Sequence, residues 1–161
     1  MSMNVEDART QMVNQQVRAW DVLDPAVLSV LAQVPREQFV PPRFRNLAFA
    51  DTEIPLGAGQ VMMTPQVEGR LLQALAIRGT DRVLEVGTGS GFLTACLARL
   101  GSGVTSLEIL PELADAARRN LRGVATWNAE VRIEDVFQYR PGEPYDVIAV
   151  TGSVPQADAR F

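Results

Sequence analysis

The sequence predicts an α/β fold, a parallel sheet with helices on its faces, preceded by a helical extension. Three observations carry that prediction. From residue 81 onward, short apolar runs alternate with helix-patterned segments, as in sheets whose parallel strands are joined by crossover helices. The first of those runs ends in a glycine-rich turn, Gly87-Thr88-Gly89-Ser90-Gly91, that opens onto a helix. Upstream of residue 79, apolar side chains recur at three-and-four spacing, and two segments begin with a capping residue followed by proline.

The elements follow in order. Val5, Ala8, Met12, Val13 and Val17 predict an amphipathic helix over residues 5–20. Asp24 and Pro25 cap and open a second, short helix, AVLSVLAQV, which Pro35 stops. Residues 35–60 are rich in proline and glycine and predict an ordered, irregular connection of the kind that often carries function. Thr64 and Pro65 repeat the cap-then-proline pattern ahead of QVEGRLLQALAI, a third helix expected to end at Gly79. Beyond it DRVLEVG reads as a strand, FLTACLARL as a helix, VTSLEI as a strand and PELADAARRNL as a helix. AEVRIED and YDVIAV read as two further strands. There is no internal repeat and no low-complexity segment.

Composition narrows the function classes. The chain has 161 residues, 47% of them hydrophobic, enough for one domain with a proper core. Net charge is −4, and the 15 basic residues, all arginine, are scattered along the chain with no run beyond the pair Arg118-Arg119, so nucleic acid and anionic membrane surfaces are not expected partners. The N-terminal residues lack the pattern of a signal peptide, and no apolar run approaches the ~18 residues of a membrane span, so a soluble, cytoplasmic protein is expected. The single cysteine, Cys96, lies in an apolar helical stretch and reads as a small buried thiol. Histidine is absent, which removes the commonest metal ligand and general base; no metal site is expected.

The glycine turn carries the chemistry. Gly87, Gly89 and Gly91 let the main chain turn tightly at the carboxyl end of the first strand, where open parallel sheets bind ligands. A dinucleotide fingerprint would place a sixth-position glycine where this chain has Phe92, which disfavours a nicotinamide cofactor. Glu85, two residues before the first glycine, would repel a pyrophosphate and suits a ligand with a cationic end. S-adenosylmethionine, with an ammonium, a sulfonium and a ribose, has that charge pattern. Glu108, about twenty residues beyond the turn, stands where a strand-end acid accepts from ribose hydroxyls. Asp135 could accept from the adenine amino group, and Val136 offers an apolar contact. These features together suggest a Rossmann-like class I methyltransferase sheet.

The upstream segments are more specific. VPREQFVPP (34–42), FADTEIPLGAGQ (49–60) and the helix-opening Pro65, together with GTGSGFLTACLA and PYDVIAVTG, resemble the protein-L-isoaspartate O-methyltransferase family, over residues 5 to the end. The resemblance implies transfer of the methyl group of S-adenosylmethionine to the free carboxylate of L-isoaspartyl residues in damaged proteins. S-adenosylhomocysteine is the other product, and the ester collapses to a succinimide. A carboxylate acceptor is already ionised near neutral pH, so the missing histidines are no obstacle. By the same resemblance, Gly59, Met62, Glu85, Gly87, Thr88, Gly89, Ser90, Gly91, Glu108, Ile109, Asp135, Val136 and Thr151 would hold the cofactor, and Gln60, Met63 and Thr64 would serve the reacting groups. Residues 1–78 would be the covering segment and residues 79–161 the cofactor-binding half of one structural domain.

Two departures from the family pattern matter. Met63 occupies the position of a small hydroxyl residue and cannot donate a hydrogen bond to an acceptor carboxylate. Thr64, whose expected role is to cap the next helix, and Thr151 and Ser153 are the other hydroxyl candidates. Met63 therefore keeps open a protein that binds S-adenosylmethionine without catalysis, or a methyltransferase with a different acceptor. The second departure is the ending: the sheet stops after about its fourth strand, and residues 156–161 resemble the start of another helix. That pattern predicts a fragment, or an exposed sheet edge through which the chain self-associates.

Overall fold

A computed structural model describes residues 4–153. The chain divides into two compact units, residues 1–76 and 77–161. The helix expected from Gln156 lies outside the described residues.

In the first unit the Asn4 side chain accepts from the backbone N–H groups of Glu6 and Asp7 and opens α1 (Val5–Gln11). The helical path continues through a π-helical turn, Met12–Val17, and a 3-10 turn, Arg18–Trp20, so the expected 5–20 span is helical throughout. The wider turn keeps Met12, Val13 and Val17 all buried. Asp24 caps α2 (Pro25–Gln33) by accepting from the N–H groups of Ala26 and Val27, and Val34 turns extended ahead of Pro35. The connection that follows is more regular than expected. Two short 3-10 segments, Arg36–Gln38 and Pro42–Leu47, lead to an antiparallel hairpin of β1 (Ile54–Gly57) and β2 (Gln60–Met62). Ile54 and Met62 pair across its base and are buried, while the tip is exposed.

Helix α3 (Pro65–Leu75) packs closely because Gly69 has no side chain: a Cβ there would stand 2.8 Å from Val17 Cγ1. The helix ends at Ala76 in the left-handed region, φ +47°, three residues before the expected terminator Gly79.

The second unit has the predicted alternation: β3 (Arg82–Val86), α4 (Phe92–Leu100), β4 (Gly103–Glu108), α5 (Pro111–Gly123), β5 (Ala129–Ile133) and β6 (Val147–Val150). The strands form one parallel sheet in the order β5-β4-β3-β6, with Glu85 in register with Ser106 and Val86 with Leu107. Side chains alternate between the faces. Leu84, Val86 and Leu107 pack with Tyr139 on one face, where Val136, Tyr145, Ile148 and Val150 join them. Glu85 points to the other, against Thr94 of α4.

Candidate functional site

Because all four strands run parallel, their carboxyl ends share one edge of the sheet. That edge brings together the 87–91 turn after β3, Glu108 and Ile109 after β4, Asp135 and Val136 after β5, and Thr151 after β6. The turn is a left-handed path, with φ of +101°, +56° and +87° at Gly87, Gly89 and Gly91. At Gly87 the requirement is also steric: a Cβ would come within 2.5 Å of the Gly152 backbone nitrogen, so a side chain would push the end of β6 away. Thr151 ties the same junction, its hydroxyl lying within reach of the carbonyls of Gly87 (2.7 Å) and Val86 (3.1 Å).

Glu85 is wholly buried beneath the turn. One carboxylate oxygen, Oε2, accepts from Thr94 Oγ1 at 2.5 Å and Ser106 Oγ at 2.8 Å, and Ser106 Oγ lies 2.6 Å from Thr88 Oγ1. The other, Oε1, is buried with no partner. Burial pushes this carboxyl up to about 7, the two hydroxyls pull it down, and the charge of Glu108 pushes it up again.

Glu108 lies over the turn. Its Oε2 accepts from Gly89 N–H and its Oε1 from Leu110 N–H, both at 3.0 Å. Asp135 Oδ1 accepts from Phe137 N–H at 2.9 Å, an Asx turn that leaves the acid half-exposed. Ser90 Oγ accepts from Phe92 N–H, and the Ser90 carbonyl accepts from Asn120 Nδ2. Ile109 stands exposed beside the acids.

The strand-end segments 84–91, 108–110, 134–136 and 151–153 contain carboxylates and no arginine. Such a rim repels a phosphate and suits a cationic, hydroxyl-bearing ligand. An unpartnered buried carboxylate oxygen below, with backbone amides and acids above, fits the charge pattern of S-adenosylmethionine. A separate cavity of about 250 Å³ lies at the opposite end of the sheet, lined by Arg82, Val104, Trp127, Asn128 and Tyr145 among others. None of the strand-end acids reaches it, so it is not the candidate site.

The first unit holds the other expected residues on one stretch. Gly59 lies at the hairpin tip, Gln60 opens β2 and is exposed, Met62 is buried at the base and Met63 half-buried just beyond. Thr64 occupies the N-cap position of α3, but its hydroxyl makes no capping hydrogen bond, contrary to expectation. Sequence reasoning did not find Thr94 and Ser106 as partners of Glu85, nor the buried pair Arg36–Glu68. For Thr94 the one available signal was a lone polar residue in the apolar run FLTACLA, which marks burial but not a partner, and Arg36 and Glu68, in the mixed stretches PREQ and QVEGR, offered none.

Comparison with known proteins adds kinship to this geometry. A family model described as Protein-L-isoaspartate(D-aspartate) O-methyltransferase (PCMT) matches residues 7–159. Protein-L-isoaspartate O-methyltransferase 1 of Rhodopseudomonas palustris is 42% identical over 148 residues, 91% of this chain and 60% of the relative. The protein-L-isoaspartate O-methyltransferase of Methanoculleus marisnigri is 42% identical over 149 residues, 92% of this chain and 68% of the relative. The chain thus spans 60% and 68% of the lengths of these two curated relatives. Among solved structures, a beta-aspartate methyltransferase (PCMT) from Plasmodium falciparum in complex with S-adenosyl-L-homocysteine superposes with a TM-score of 0.79 at 19% identity, over 98% of this chain and 77% of that one. That likeness concerns the fold.

Proposed function

This chain belongs to the protein-L-isoaspartate(D-aspartate) O-methyltransferase family, and from that premise we propose that it binds S-adenosylmethionine and serves methyl transfer to the free carboxylate of L-isoaspartyl residues in damaged proteins. The observation that carries the reading is the set of strand-end segments 84–91, 108–110 and 134–136, which hold Glu85, Glu108 and Asp135 about a left-handed glycine turn and contain no arginine.

In this reading Glu108 accepts from the ribose hydroxyls, Asp135 from the adenine amino group, and Val136 and Ile109 give apolar contact. The turn from Gly87 to Gly91, with Thr88 and Ser90, and the free oxygen of Glu85 serve the methionine end. The cofactor, when bound, supplies an electrophilic methyl group on sulfonium. The chain's own residues are left with binding, alignment and exclusion of water, since an ionised acceptor carboxylate needs no base. Gln60 and Thr64 are the polar groups assigned to the acceptor, and the unused hydroxyl of Thr64 replaces the one that Met63 lacks. A cytoplasmic setting belongs to the same proposal: the one cysteine is buried and unbridged, and no described helix is long and apolar enough to cross a membrane.

The test is a calorimetric titration with S-adenosylmethionine and S-adenosylhomocysteine, followed by an isoaspartyl peptide and an assay for methanol release. Binding with release supports the proposal; absence of binding overturns it. Met63 motivates a second reading, a cofactor-binding protein with no isoaspartyl transfer. Binding without release, with release gained in Met63→Ser, would favour that reading.

A further inference from the structure

Arg36 is wholly buried, and its guanidinium reaches three acceptors in the first unit. Nε donates to the Ala48 carbonyl at 2.7 Å, Nη2 donates to the Met63 carbonyl at 2.8 Å, and Nη1 pairs with Glu68 Oε2 on the first turn of α3. Ala48 and Met63 are the residues just before and just after the stretch 49–62, which contains the β1–β2 hairpin and Gln60. One planar group therefore closes the base of that excursion and fixes the Met63–Thr64 peptide at the same time. A lysine could not, because its three donors radiate from a single nitrogen rather than along a flat fork.

The closure is needed where it stands. A two-stranded hairpin is marginal on its own, and this one runs at its tip through three consecutive left-handed residues, Gly57, Ala58 and Gly59, with only Ile54 and Met62 buried at the base. A buried ion pair is a poor source of net stability, because desolvating both charges offsets their attraction. What the pair offers here is a fixed geometry for two carbonyls far apart in sequence.

We propose that Arg36, held by Glu68, is a positioning residue for the acceptor: it clips the ends of the 49–62 excursion together and so sets where Gln60 and Thr64 stand when an isoaspartyl segment binds. The proposal rests on the functional reading above, and the test separates the two. In the full chain, the double variant Arg36→Met/Glu68→Leu removes both charges and leaves none orphaned, and Arg36→Lys keeps the charge without the fork. Both are expected to lose no more than about threefold in affinity for S-adenosylhomocysteine, because only Gly59 and Met62 of the expected cofactor contacts lie in the hairpin, while amide exchange in residues 54–62 speeds up about tenfold relative to α2 and α3. The KM for an isoaspartyl peptide should rise, also about tenfold, with less change in kcat. Hairpin exchange as slow as in the parent, or an unchanged KM in a variant whose hairpin has loosened, overturns the proposal. A parent chain that transfers no methyl group overturns the functional reading instead, and the exchange rates then decide the clip by themselves. Should the double variant fail to fold, the lysine variant carries the same measurements.

Discussion

Glu85 shows what burial does to a single carboxyl. With no exposure and only hydroxyls as donors, it titrates near 7, above the usual carboxylate range. The folded state then holds the proton more tightly than the unfolded state, so this group's contribution to stability is fully present below about 4.5 and is lost as pH rises through about 7. Glu85→Gln should therefore be the more stable protein at pH 8, by up to about 3 kcal/mol, with the gap closing toward pH 5. Urea midpoints at the two pH values check it, and an equal loss at both would show the carboxylate ionised and satisfied in the fold. Glu108 calls for a different measurement, because its proposed partner is a ligand. Glu108→Ala should weaken S-adenosylhomocysteine binding about ten- to a hundredfold, the cost of hydrogen bonds to a charged group, and unchanged affinity in calorimetry removes it from the site. The strand-end positions of Glu108 and Asp135 were legible in the sequence because VTSLEI and AEVRIED both carry strand patterning. Thr94 and Ser106 were not: their role depends on the Glu85–Ser106 register and the facing of α4, neither of which a polar residue announces alone.

Legibility at the level of elements followed length and period. Among the strands of the parallel sheet β6 stood out as an unbroken apolar run and β3, β4 and β5 as short β-patterned runs broken by polar residues, while α3, α4 and α5 stood out as periodic segments, because burial imposes those patterns along many residues. The β1–β2 hairpin stayed hidden: its strands have four and three residues, include Pro55, and meet at a turn with two glycines around Ala58. The end of α3 was missed for a related reason. Glycine is the usual left-handed terminator, but here Ala76 takes that conformation, φ +47°, and its N–H donates to the Gln73 carbonyl. An alanine held there carries a steric cost that glycine avoids. Ala76→Gly should raise the unfolding free energy by about 0.5–1 kcal/mol after the entropy glycine adds to the unfolded chain, read as a higher urea midpoint. A lower midpoint would mean that the alanine side chain contributes packing that outweighs its backbone strain.

Across the second unit, the sheet is protected unevenly. β3 and β4 lie inside the order β5-β4-β3-β6, with strands on both sides. Among the described residues β6 pairs only with β3; Ile148 and Val150 are half-buried even with Tyr145 on their face, and Val147, which points to the other face, is half-buried too. All-parallel sheets in other proteins are covered on both faces, and an open apolar strand edge is a template for pairing with another chain. The 161-residue chain should therefore self-associate, its weight-average mass rising between about 1 and 100 μM in sedimentation velocity, the range in which such edges cause association. Val147→Lys, which places a charge on the open strand, should suppress that rise, because a second copy could pair there only by burying the ammonium. Equal association in the variant would move the contact away from β6, to the exposed Trp127 and Ile133 at the far side of the sheet. A mass that stays monomeric across the range would show that the half-buried face of β6 is sufficient cover, and that an edge of four residues is too short to recruit a partner.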